Sequence, residues 1–118
     1  MNKIVLVAMM GAICAGCFSE IGVGAALNGH PVVVAEGCSL EQAVISAAGR
    51  RGWMVEKLGA NEFRLTINQR DNRCVVKIVT SGSSFSVLPV ESNIAVLKYD
   101  QWVKTLAREI TYRASNGK

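Results

Sequence analysis

At 118 residues the chain is long enough for one domain, and half of its residues are apolar. Setting aside an amino-terminal leader and a linker leaves roughly 80 residues, just enough to bury a self-sufficient core. The net charge is +4, and residues 38–118 carry twelve basic against seven acidic side chains, a balance of +5. Such a balance suits anionic lipid head groups or acidic envelope polymers, but the charges are scattered, as on a solvated surface. A nucleic-acid-binding sheet, the other partner a basic chain suggests, is disfavoured because no strand interleaves aromatic and basic residues.

Lys3 precedes an uncharged run from Ile4 to Phe18 that ends in small residues, the order of an export signal. The run is shorter than the ~20 apolar residues of a permanent membrane span. Residues 1–17 are therefore read as a leader rather than as part of the fold. Ala15-Gly16-Cys17 has the small-small-Cys order of lipoprotein processing, in which the Cys17 thiol accepts a lipid chain. Cys14 stands three places before it, where an aliphatic residue is usual. Ordinary cleavage near Val23-Gly24-Ala25 or Gly24-Ala25-Ala26 is the alternative ending, giving a soluble secreted or periplasmic protein. Phe18 rather than Asp after Cys17 points to the inner face of an outer membrane, by resemblance to bacterial lipoproteins in general.

Residues 18–37 read as a linker, because Gly22, Gly24, Asn28, Gly29, Pro31 and Gly37 break any periodicity. Val32-Val33-Val34 is the one piece suited to pairing with a sheet edge. His30, the sole histidine, has no second His or carboxylate cluster beside it, so it is an exposed linker side chain rather than a metal ligand. The domain occupies residues 38–118. Cys38 and Cys74 form an even pair for an oxidising compartment, closing a 37-residue loop if bonded. A bond would add roughly 3–4 kcal/mol on the chain-entropy model; the other reading is two separate thiols.

Ser39-Leu40-Glu41-Gln42 is a capping box, and Leu40, Ala43, Val44, Ala47 and Ala48 give the following helix one apolar face. Gly49 or Gly52 ends it. Period-two alternation then predicts strands over residues 53–58, 63–68, 74–79 and 84–87, the last stopped by Pro89. Turns this short impose antiparallel neighbours. Phe63, Leu65, Ile67, Cys74, Val76, Ile78, Phe85 and Val87 would share the covered face. A last helix from about Tyr99 to Arg113 carries Trp102, Val103, Leu106 and Ile110 as its apolar stripe. The expected fold is α+β: a four-stranded antiparallel meander with an N-terminal and a C-terminal helix on one face.

Arg51-Gly52-Trp53, Phe85-Ser86-Val87, Ser92-Asn93 and Tyr99-Asp100-Gln101-Trp102-Val103 follow one another at spacings that resemble a family of small, uncharacterised bacterial envelope lipoproteins. The resemblance covers residues 40 to about 110 and implies an envelope location without an established activity or ligand. Members commonly carry a histidine where this chain has Cys74, another before the last helix, and Asn in place of Asp100. The motifs would set Arg51, Ser92, Asn93 and Tyr99 near one end of the sheet as a binding surface. Their architectural alternative is backbone satisfaction by Ser92 and Asn93, and a locked helix start at Tyr99.

No catalytic constellation is visible: there is no Gly-x-Ser-x-Gly elbow, no phosphate-cradling Gly loop and no paired carboxylates. Cys74 has no activating base. The expectation is a non-enzymatic binding or structural module without cofactor or metal. It would be held to a membrane by its lipid and partnered by an envelope protein or an anionic envelope polymer. Thiol–disulfide exchange by Cys38 and Cys74 is the rival activity.

Overall fold

The computed structural model describes residues 20–116. The leader and the Cys17 acceptor lie outside them. In chain order the elements are β1 (Leu27–Pro31), α1 (Leu40–Arg50), β2 (Met54–Gly59), β3 (Glu62–Gln69), β4 (Asn72–Ser81), β5 (Ser84–Ser92) and α2 (Val96–Asn116). The strands form one antiparallel sheet in the order β1-β5-β4-β3-β2. Both helices cover one face, so the α+β class expected from the sequence is present.

The sheet has five strands, not four. The extra one lies in the stretch read as a linker, at Leu27–Pro31 rather than at Val32-Val33-Val34. It pairs with β5 through Leu27 opposite Val87 and Pro31 opposite Ser84, with an irregularity between Leu27 and His30. Gly29 sits in that irregularity with φ +56°, which hides the strand from any period-two search.

Pro89 does not stop β5 either. The strand continues to Ser92, and Val90 is an extra residue opposite the Val75–Val76 step of β4. β1 pairs only as far as Val87, so at Pro89 strand β5 is a sheet edge with a bulge, a place that tolerates a missing N–H.

α1 begins as its capping box requires, with the Gln42 amide donating to Ser39 Oγ at 3.1 Å. It ends in a Schellman motif. Trp53 N–H donates to Ala48 O at 2.8 Å and Gly52 N–H to Gly49 O at 3.3 Å, with Gly52 at φ +84°. That turn delivers Trp53 inward, edge-on to Trp102 at 6.5 Å between ring centroids.

α2 starts three residues before the expected Tyr99 because its cap is not a side chain. Val96 N–H donates to Glu20 O at 2.9 Å, and Gly22 N–H to Ile94 O at 2.9 Å. At the other end Ala35 N–H donates to Ala114 O at 2.9 Å. Residues 20–35 are therefore a strap that satisfies orphan backbone groups at both ends of the long helix.

The core lies between the sheet and the two helices. Every residue assigned to the covered face (Phe63, Leu65, Ile67, Cys74, Val76, Ile78, Phe85 and Val87) is buried. Against them pack Leu40, Val44, Ala47 and Ala48 of α1 and Tyr99, Val103, Leu106 and Ile110 of α2. The alanines of α1 let the two helices approach closely. The other sheet face is open and carries the ion pairs Arg64–Glu56, Lys77–Glu62 and Arg73–Glu91.

A Cβ at Gly24 would run into Asp100 Oδ1 and come within 2.9 Å of Tyr99 Cδ1. Gly24→Ala is expected to lift the strap from the start of α2. Amide hydrogen exchange should then speed up at Gly22 and Val96 while Ala35 stays protected; unchanged exchange at all three would contradict the strap's role as a cap.

Candidate functional site

The fold gathers charges that the sequence scatters. Arg50 and Arg51 close α1, and α2 brings Lys104, Arg108, Glu109, Tyr112 and Arg113 alongside. Glu109 is the hub. Arg51 Nη2 donates to its Oε1 at 3.1 Å and Arg113 Nε to its Oε2 at 2.9 Å. With only 12% of its side chain exposed, Glu109 is held below the usual carboxylate range, first by the Arg113 hydrogen bond and then by Arg51, against the opposing effect of burial. Arg51 thus ties the end of α1 to α2.

Glu109 is fully engaged, and Arg50, Lys104 and Arg108 have no carboxylate within ion-pair distance among the described residues. Beside them runs a largely apolar groove of about 480 Å³ between β1 and α2, lined by Leu27, His30, Lys104, Ala107, Arg108 and Tyr112. His30 is not a free linker side chain: its ring lies 5.1 Å from that of Phe85. A second hollow of about 460 Å³ shares Arg108 and Tyr112 with the first and adds Arg50. Tyr112 is 54% exposed between the two. The sequence carries one signal for this patch, the i, i+4, i+8 spacing of Lys104, Arg108 and Tyr112. Its convergence with Arg50 and β1 depends on the fold.

Ser92 and Asn93 lie where β5 ends, near the β3–β4 turn. Arg70 in that turn holds φ 59°, a conformation that disfavours any residue with a Cβ. Asn93 clamps it: Oδ1 accepts from Arg73 N–H at 2.7 Å and Nδ2 donates to Asp71 O at 2.8 Å. Ser92 Oγ accepts from Ile94 N–H at 3.2 Å. Arg51 lines a smaller hollow of about 190 Å³ with Trp53, Trp102 and Gln69, the last residue of β3 before that turn. Lys98 Nζ stands 5.5 Å over the Trp102 ring.

Tyr99 is wholly buried, and its hydroxyl has no hydrogen-bond partner among the described residues. Burial first, then the neighbouring Cys74 and Asp100, push it up to about 12. Of the four residues that the motifs offer as a binding surface, Tyr99 has no exposure, and the polar groups of Ser92 and Asn93 are turned to the backbone.

Cys38 and Cys74 are both free thiols, so a bond between them is not present. Cys74 sits inside the sheet, where the strand's inward-facing period places it, whereas Cys38 precedes α1 in a hollow with Ser39, Gln42 and Arg113. Burial pushes the Cys74 thiol up to about 11, the opposite of an activated nucleophile. Among the described residues no group of three or more His, Cys, Asp or Glu side chains could hold a metal ion. No helix among them is long and apolar enough to cross a membrane. Neither a family model, a curated protein nor a solved structure matches the chain.

Two predictions test this architecture. Asn93→Ala should destabilise the domain by about 1–3 kcal/mol, because two backbone groups of the turn lose their partner. Arg70→Gly should recover about 1 kcal/mol by relieving the turn; equal urea midpoints for Asn93→Ala and the parent would contradict the clamp.

The second concerns alkaline pH. Cys74 and Tyr99 keep their protons in the folded state to about 11 and 12, against 9.0 and 10.0 as ordinary values. Between those limits the unfolded chain binds fewer protons than the folded one, so stability falls as pH rises from 9 to 12. Urea melts across this range should show the decline, and Cys74→Ala should remove its lower part.

Proposed function

We propose that the chain is an exported protein, acylated at Cys17, whose helix-backed sheet serves as a non-enzymatic binding or structural module on the periplasmic side of the cell envelope, at the outer membrane. The observation that carries this reading is the position of the fold relative to Ala15-Gly16-Cys17. The first backbone contact of the strap, Glu20 O to Val96 N–H, falls three residues after Cys17. Processing at Cys17 keeps that contact. Cleavage near Ala25 or Ala26 would remove it, together with the Ile21–Ala95 bridge, and leave the start of α2 uncapped.

The resemblance of the Arg51-Gly52-Trp53, Ser92-Asn93 and Tyr99–Trp102 motifs to small envelope lipoproteins supports the same location. The partner is the membrane through the lipid, and beyond it an envelope protein or an anionic envelope polymer rather than nucleic acid. A redox role for Cys38 and Cys74 is less well supported, because Cys74 is buried and its thiol is held protonated.

Mass spectrometry of the mature protein from its own host tests the reading. The expected amino terminus is an acylated Cys17, and Cys17→Ser should release the protein from the membrane fraction. An unmodified terminus at Ala26 or Leu27 would overturn the lipid anchor and, with it, the outer-membrane assignment.

A further inference from the structure

We propose that the groove between β1 and the second half of α2 binds an amphipathic anion, an acidic head group joined to a short apolar body. The head would lie on Lys104 and Arg108 and the body over Leu27, Ala107 and Tyr112. Two solvated cations on a helix need no ligand. What distinguishes these two is their setting. They line a mainly apolar groove of about 480 Å³, within the size range of small-molecule sites. No carboxylate among the described residues stands within ion-pair distance of either.

The neighbouring groups cannot substitute for a ligand. Glu109, the acidic residue next to Arg108, is held by Arg51 and Arg113. The Thr111 hydroxyl donates to Ala107 O at 2.9 Å, so its proton is used within the helix. Arg50 adds a third cation without a carboxylate among the described residues, in the adjoining hollow where Arg108 and Tyr112 continue the surface. The groove therefore offers positive charge, an aromatic side chain and apolar contact, without a negative group of its own to meet the charge. A bare anion would leave the apolar part unused; a neutral apolar ligand would leave the cations unused. An acid with a short chain uses both, and an anionic phospholipid with its first acyl carbons or a free fatty acid has that chemistry.

The proposal does not depend on acylation at Cys17. A residue-resolved NMR titration of the full chain tests it with four probes: dihexanoyl phosphatidylglycerol, dihexanoyl phosphatidylcholine, octanoate and inorganic phosphate. Amide shifts at Leu27, His30, Lys104, Arg108 and Tyr112 are expected with either or both of the amphipathic anions, and whichever binds more tightly identifies the source of the ligand. Lys104→Gln with Arg108→Gln should weaken that binding at least about tenfold, whereas Lys98→Gln, on the same helix but over Trp102, should leave it unchanged. Both replaced side chains are exposed, so the fold should persist. Equal binding of phosphatidylcholine or of phosphate alone, shifts confined to other surfaces, or an undiminished affinity in the double variant would each overturn the assignment.

Discussion

The long helix depends on a segment more than sixty residues earlier in the chain for both of its ends. Helix termini leave amides and carbonyls without partners, and α2 has neither a capping side chain at Ala95 nor an acidic residue in its first turn. Glu20 supplies the carbonyl at one end and Ala35 the amide at the other. Between them the same segment adds β1 to the sheet and passes Gly24 against Tyr99 and Asp100. The bare Cα of Gly24 is what lets the strap lie flat on the helix. The rest of the domain follows from this: α2 is fixed over the sheet, Tyr99 and Ile110 are buried, and the basic stripe of Lys104 and Arg108 faces the groove that β1 helps to form.

Much of the framework is legible in the sequence because it is local. Ser39 to Gln42 is a cap within four residues, and the alternation from Phe63 to Ile78 is a period-two pattern that no tertiary contact needs to rescue. The inward set of the central strands and the apolar face of α1 therefore agree with their patterns. The differences sit where the determining contact is distant. β1 has no alternation, and its pairing is dictated by β5. The α2 start is set by Glu20, and β5 survives Pro89 because β1 ends its pairing at Val87. Sequence patterns cannot report a hydrogen bond donated across more than sixty residues.

The site follows the same division. Arg51, Ser92, Asn93 and Tyr99 stand out as motif residues, and each has a place in the architecture. Arg51 ties to Glu109, Ser92 shapes a turn, Asn93 clamps one, and Tyr99 is a buried anchor. The groove is hidden from the sequence because its cations lie on α2 while its other wall is a distant strand without alternation. Only the helical spacing of Lys104, Arg108 and Tyr112 is present there, and an exposed stripe of that kind is ordinary. Cys74 shows the converse. Two cysteines suggest a staple, but the inward register of β4 places one of them in the core.

The open edge at β2 has a further effect. Its outer backbone invites another strand, and a symmetric antiparallel dimer would pair residues of equal parity across a two-fold axis. The two registers that overlap most set Glu56 opposite Glu56 or Lys57 opposite Lys57, and like charges directly across a ladder repel. Copies of the chain are thus discouraged from zipping edge to edge, even though the strand is exposed along most of its length.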